Sequence, residues 1–119
     1  MSKTITVYGI ANCDTVKKAR AWLQDRGVAY RFHDFRKQGL PLDRVDCWLS
    51  AVGWETLVNR KGTTWRKLDS ATRGTVIDAA TARTLMQQQA SVIKRPVVEW
   101  GHEITVGFDP AGWEPLASS

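Results

Sequence analysis

The stretch "YGIANCDTVKKA", residues 8 to 19, places one of the chain's two cysteines, Cys13, four residues after Gly9 and at the mouth of a basic helical segment. A free thiol titrates at ~8.5, so only a few per cent of it is thiolate at neutral pH. A helix N-terminus carries roughly half a positive charge and N–H groups without intrahelical partners, and a thiol placed there is drawn toward its thiolate. Lys17, one turn in, adds positive charge on the same side, and Asn12 and Thr15 supply hydrogen-bond donors. The free N–H groups also suit the oxygens of a bound carboxylate or oxyanion. One short loop thus joins a candidate nucleophile to a cradle for an anion. Asp14 opposes the thiolate by like charge unless it bonds to N–H groups of the first turn. The other reading of Cys13 is a small buried hydrophobe, and the loop alone leaves both open. Cys47, in "VDCWL", lies mid-helix between core-facing positions and reads as the buried, inert type.

Two more stretches carry cations of the right kind. "IKRPVV", residues 93 to 98, sets Arg95 before Pro96 and a strand, and "NRKG", residues 59 to 62, offers Arg60. Arginine binds carboxylates and oxyanions through a planar fork. Arg60 reads equally well as a solvated loop residue.

The elements that must position these residues follow from periodicity. Residues 3 to 8, "KTITVY", alternate and are β-branched, which predicts a strand. Val16, Ala19 and Leu23 recur at helical spacing over 14 to 26, and Gly27 stops that helix. Residues 28 to 35, "VAYRFHDF", alternate again. Strand, helix, strand in so short a span is a βαβ unit with parallel strands and a right-handed crossover. Leu42, Val45, Leu49 and Val52 mark a helix starting near Pro41. Short helical pieces broken by Gly53, Gly62 and Gly74 follow, then a better helix over 81 to 90. "VVEW" and "EITVGF" read as a hairpin turning at Gly101 and His102. Asp109 and Pro110 then start a last helix as N-cap and first helical residue. A βαβ half and a ββα half on one sheet make an α/β, thioredoxin-like layout, here as one domain over residues 1–119 with a helical insertion at about 41–92. In that layout a proline just before a strand of the second half sits beside the nucleophile. Pro96 is therefore expected to be cis, with Arg95 directed toward Cys13.

Composition excludes several classes. The 119 residues are 43% apolar and 24% charged, without a low-complexity tract, as in an ordinary soluble protein. The start "MSKTITVYG" lacks a secretory apolar core, and no run approaches the ~20 apolar residues that span a bilayer. A cytoplasmic chain without membrane contact is expected. Two cysteines with the scattered His33 and His102 make neither a disulfide framework nor a metal site. The net charge of +5 is spread among acids without a like-charge run, which favours a solvated surface over a nucleic-acid interface. A few of those cations lining an anion pocket is the sharper alternative.

Taken together, "YGIANCDTVKKARAWL", "NRKGTTWRKL", "SVIKRPVVEW" and "VGFDPAGWEPL" resemble, in order and spacing, the arsenate reductase (ArsC) family, in its Spx/YffB-like branch. The resemblance runs nearly end to end. It implies a thioredoxin-like fold with a helical insertion, Cys13 as catalytic nucleophile, no bound cofactor, and glutathione as thiol co-substrate. Glutaredoxin is an alternative source of the resolving thiol, and a monomer is expected. Arg60 and Arg95 match two of the family's oxyanion arginines, and Pro96 matches its cis-proline position. The third arginine falls in the last hairpin, where "ITVGF" has Val106 or Gly107 instead. The resemblance therefore implies a thiol-dependent reductase with weak arsenate chemistry, unless Lys94 or another cation substitutes. Arsenate reduction itself is the first alternative. Family members that regulate RNA polymerase carry a CxxC switch; "CDTV" has Val16 at the second position and cannot close it. A binding module for the transcription machinery, without a switch, is the second alternative.

Overall fold

The alternating run near the N-terminus becomes strand β1 (Thr6–Gly9), which helix α1 (Asp14–Asp25) connects to the parallel strand β2 (Arg31–Asp34). The computed structural model describes residues 4–118, so the expected strand start at Lys3 lies outside the described residues. A single turn, α2 (Phe35–Gln38), follows β2. These elements share one compact unit, drawn from Met1–Gln38 and Arg95–Ser119, with the hairpin β3 (Val97–Glu99) and β4 (Ile104–Val106) and the last helix, α8 (Pro110–Ser118). The sheet order is β2-β1-β3-β4, with β3 antiparallel to both its neighbours. A parallel βαβ half and an antiparallel ββα half on one mixed sheet make the fold thioredoxin-like.

The second unit, Gly39–Lys94, interrupts the first in sequence. It holds α3 (Leu42–Val52), α4 (Trp54–Leu57), α5 (Thr63–Lys67), α6 (Ser70–Gly74), α7 (Ala79–Gln88) and a 3-10 turn at Ala90–Val92. The sequence places the helical insertion at about 41–92.

Boundaries differ from expectation where side chains or caps take over the backbone. Strand β2 begins three residues later than its alternation suggests. The Val28 N–H bonds back to the Leu23 carbonyl (3.0 Å) and the Gly27 N–H to Gln24 (3.0 Å), closing α1 with a Schellman cap in which Gly27 has φ +67°. Phe35, expected as strand, instead opens α2. Helix α7 begins at Ala79 rather than 81. Asp78 and Thr81 form a reciprocal capping box there, with Asp78 Oδ1 accepting from the Thr81 N–H at 2.9 Å.

One face of the sheet is held by α1 and α8 through Ile5, Val7, Ala19, Leu23, Val98, Trp100 and Trp113. Trp113 is the hub, with ring centroids 5.0 Å from Trp100, 5.0 Å from Phe108 and 5.7 Å from Trp22, all edge-on. Arg26 stacks on Trp22 at 3.9 Å and pairs with Glu114, joining α1 to α8 at the surface. The Trp113 Nε1 is buried without a hydrogen-bond partner among the described residues.

Asp34 is the one buried charged side chain among the described residues, 5% exposed. Its Oδ1 accepts the Arg36 N–H at 2.8 Å and its Oδ2 the Ala11 N–H at 3.3 Å. Burial pushes this carboxyl's pKa up, but the backbone N–H donors of Arg36, Ala11 and Lys37, with the Lys37 charge, outweigh burial and hold it below the usual 3.8.

Two outcomes are expected. Trp113→Ala removes a buried ring and lowers unfolding free energy by about 3–5 kcal/mol. Trp113→Phe keeps most of the ring and deletes an orphaned donor, itself a penalty of about 1–3 kcal/mol, so it is far milder. Urea titrations of the two variants check the contrast; equal losses would refute the account of Nε1. For Asp34 the folded carboxyl has the lower pKa, so its contribution is complete above the unfolded value and drains as pH falls below about 3.8 toward the folded value. Asp34→Asn should flatten the stability profile in that acid window, as read by urea midpoints against pH.

Candidate active site

Helix α1 starts immediately after Cys13, which is its N-cap residue with extended backbone, φ −134° and ψ 123°. The Cys13 carbonyl accepts the Lys17 N–H at 2.9 Å, so the helical ladder begins on this residue. Its side chain makes no capping hydrogen bond. The N–H groups of the first turn are thereby left for a ligand or water, and the half-buried thiol lies at the positive end of the helix dipole. Asn12, Thr15 and Lys17 are exposed around it. Asp14 is exposed too.

A close approach fixes where the loop leaves the sheet. A Cβ built on Gly9 would lie 2.9 Å from Val16 Cγ2 and 3.8 Å from Arg95 Cβ. Only glycine lets the end of β1 pack so tightly on α1. The same contact brings Arg95 against the strand that leads to Cys13. The Arg95–Pro96 peptide is cis, and Pro96 is buried ahead of β3. Arg95 is half-buried, with its Nε enclosed. Asn12, Cys13, Thr15, Lys17, Arg95 and Pro96 therefore all belong to the first unit.

Arg60 belongs to the second. Val58 and Ile93 form an antiparallel bridge, with the Asn59 N–H donating to Val92 and the Lys94 N–H to Leu57, both at 2.8 Å. This short zipper lays two segments side by side and gathers Arg60, Lys61 and Lys94 around a cleft of about 310 Å³ that also includes Asn59 and Glu55. Arg60 is exposed; it lies 3.7 Å from Glu55 and 5.6 Å from the Trp54 ring centroid.

Cys47 corrects the sequence reading: it is exposed, not buried. Helix α3 buries Val45 and Trp48. A helix turns ~100° per residue, so position 47 faces away from position 45. Its neighbours in sequence are core residues, but it is not on their face.

Three residues were missed. Asp34 touches the Cys13 loop through Ala11, and its only sequence signal is an acid ending an apolar alternation in "YRFHDF". Lys61 is adjacent to Arg60 in "NRKG", whereas Lys94 needed the zipper to reach the same cleft, which no local pattern announces. Among the described residues no group of three His, Cys, Asp or Glu could hold a metal ion, and no helix is long and apolar enough to cross a membrane.

The chain resembles known proteins over nearly its whole length. An arsenate reductase (ArsC) related protein from Brucella melitensis is 51% identical in sequence, with TM-score 0.76, over 97% of this chain and 95% of that one. The YFFB (PA3664) protein is 45% identical, with TM-score 0.90, over 95% and 98%. An uncharacterized protein of Haemophilus influenzae is 41% identical over 105 residues, 88% of this chain and 91% of its own. The model of the ArsC family matches residues 8–116. With the thiol at a helix N-terminus on a thioredoxin-like sheet, these likenesses establish that the chain belongs to the ArsC family.

Proposed function

We propose that the protein is a cytoplasmic, monomeric reductase in which Cys13 is the sole nucleophile and glutathione is the co-substrate. The observation that carries the reading is the Cys13 thiol at the N-cap of α1 with no capping bond of its own. The Cys13 thiolate attacks the glutathionyl sulfur of a mixed disulfide and expels the other thiolate, which takes up a proton. A glutathione thiolate then attacks the Cys13 mixed disulfide, releasing oxidised glutathione and the free enzyme. Each step breaks one S–S bond and forms one, so no other oxidant or reductant enters. An external thiol is assigned the second step because the chain has no CxxC pair. Glutaredoxin is an alternative source of that thiol.

Glutathione carries two carboxylates, and the cations are read against them. Arg95, packed at the end of β1, is assigned one contact through its planar fork. Lys17, with Asn12 and Thr15, is assigned the approach to the helix terminus. Arg60 is assigned an anion contact from the family likeness, with Lys61 and Lys94 as its companions in the second unit's cleft. The absence of an arginine at Val106 and Gly107 supports a sulfur electrophile over arsenate.

Turnover of a glutathione–mercaptoethanol mixed disulfide is expected for the wild type and Cys47→Ala, and none for Cys13→Ser. Turnover in Cys13→Ser would overturn the nucleophile assignment. Absent turnover combined with capture of a polymerase subunit, equally by Cys13→Ser, would favour the binding-module alternative.

Arsenate reduction under the same conditions should be weak or absent. One charge-assisted hydrogen bond contributes roughly 1.5–3 kcal/mol, or ~10- to 100-fold in anion affinity. Robust turnover at low arsenate would mean that the remaining cations suffice.

Arg95→Lys keeps the charge but loses the fork, so glutathione titrations should show weaker binding, with Arg95→Ala weaker again. Both differences should shrink as salt screens the contact. Unchanged affinity in Arg95→Ala would remove Arg95 from the site.

A further inference from the structure

We propose that Asp34 is a positioning residue for Cys13: its carboxylate holds the loop between β1 and α1 by the Ala11 N–H and so fixes the thiol at the helix N-terminus. This rests on the reading of Cys13 as nucleophile.

The loop has four residues, Ile10 to Cys13, and its ends are fixed differently from its middle. Gly9 is clamped against Val16, and the Cys13 carbonyl is fixed by the Lys17 N–H. Between them the Ala11 N–H points at Asp34 Oδ2. Asp34 is the last residue of β2 and pairs in register with Gly9, so it sits where the two parallel strands end and the loop begins. It is braced from its own side, since Oδ1 takes the Arg36 N–H and the Asp34 N–H donates to Gln38 Oε1 at 2.9 Å. A carboxylate that is 5% exposed is retained only with donors, and here the donors are main-chain groups of the loop and of α2. At 3.3 Å the loop contact is the longer of the two, so its loss should alter the loop before it unfolds the domain.

The negative charge of Asp34 would by itself disfavour a thiolate nearby. Removing the charge and removing the tether therefore change Cys13 reactivity in opposite directions. Asp34→Asn makes both changes at once, so the sign of its effect shows whether the tether or the charge dominates. Its carbonyl can still accept from Arg36, but its amide offers a donor, not an acceptor, to Ala11.

The test is the rate of iodoacetamide alkylation in a Cys47→Ala background, well below the melting temperature. Asp34→Asn should slow it by about 2- to 10-fold, the range set by one hydrogen bond. Asp78→Ala, which removes the α7 cap in the other unit, should destabilise without changing the rate. An unchanged or faster rate in Asp34→Asn overturns the proposal, as does equal slowing in Asp78→Ala. If Asp34→Asn does not fold, an acid titration of the wild type by NMR decides. The Ala11 amide proton must shift with the Asp34 carboxyl carbon at one midpoint, and an Ala11 amide that ignores that titration overturns the tether. Absent glutathione turnover with slowed alkylation in Asp34→Asn would instead defeat the reductase reading and leave the tether supported.

Discussion

Where β1 ends, four residues must turn the chain into α1 without leaving buried main-chain groups unpaired, and the candidate site depends on how that is done. An unpaired buried N–H is destabilising by an amount comparable to a lost hydrogen bond. The chain meets the constraint twice. Gly9 lets the strand end lie against Val16, which sets the direction of entry, and Asp34 supplies an acceptor for Ala11. Cys13 follows as N-cap, a position usually held by an oxygen-bearing residue that bonds to the first turn. Thiol sulfur is a weak acceptor, and here it makes no such bond. The helix start is less well satisfied than a serine or aspartate would make it, and the same deficit leaves donors for an anion.

That deficit is tolerable because α1 is held elsewhere. Trp22, Trp100, Phe108 and Trp113 pack edge to face and join α1, the sheet and α8, while the Schellman cap at Gly27 closes the far end of the helix. Aromatic pairs of this kind add ~0.5–1.5 kcal/mol each beyond their burial. A strained or under-capped helix start can persist when packing over the rest of the helix determines its position. The wasted donor of Trp113 marks a cluster dominated by ring packing rather than by polar pairing.

The thioredoxin-like order was legible because each half has its own period: β-branched alternation for β1, 3.6-residue spacing for α1, Gly-bounded strands for the hairpin. Cys13 was legible because it falls where the first period changes to the second. Legibility failed where a helix cap, built from side chains or from the backbone itself, took over groups at an element's end. The Asp78–Thr81 box starts α7 two residues early, and the cap on α1 takes Val28 out of β2. Cys47 departs from its sequence pattern for another reason: it is adjacent in sequence to Val45 and Trp48, but the helical angle puts it on another face. Asp34 was invisible because a buried acid and a surface acid look alike in sequence, and only the donors around it tell them apart.

Charge geometry bears on which electrophile such a site suits. A tetrahedral oxyanion presents its oxygens within one small volume, so several planar forks must converge on it, and arginine is the residue whose donors are pre-arranged to do so. A tripeptide thiol presents two carboxylates far apart on a flexible backbone. Separate cations serve it, one to each carboxylate, and they need not converge on one point. In this chain Arg95 lies beside the end of β1, Val106 and Gly107 carry no cation, and Lys61 and Lys94 accompany Arg60 in the second unit. Within the second unit's cleft alone, one arginine is accompanied by two lysines, a set with a single fork. The types of these cations, more than the net charge of +5, are therefore what the proposed choice of a peptide thiol over arsenate draws on.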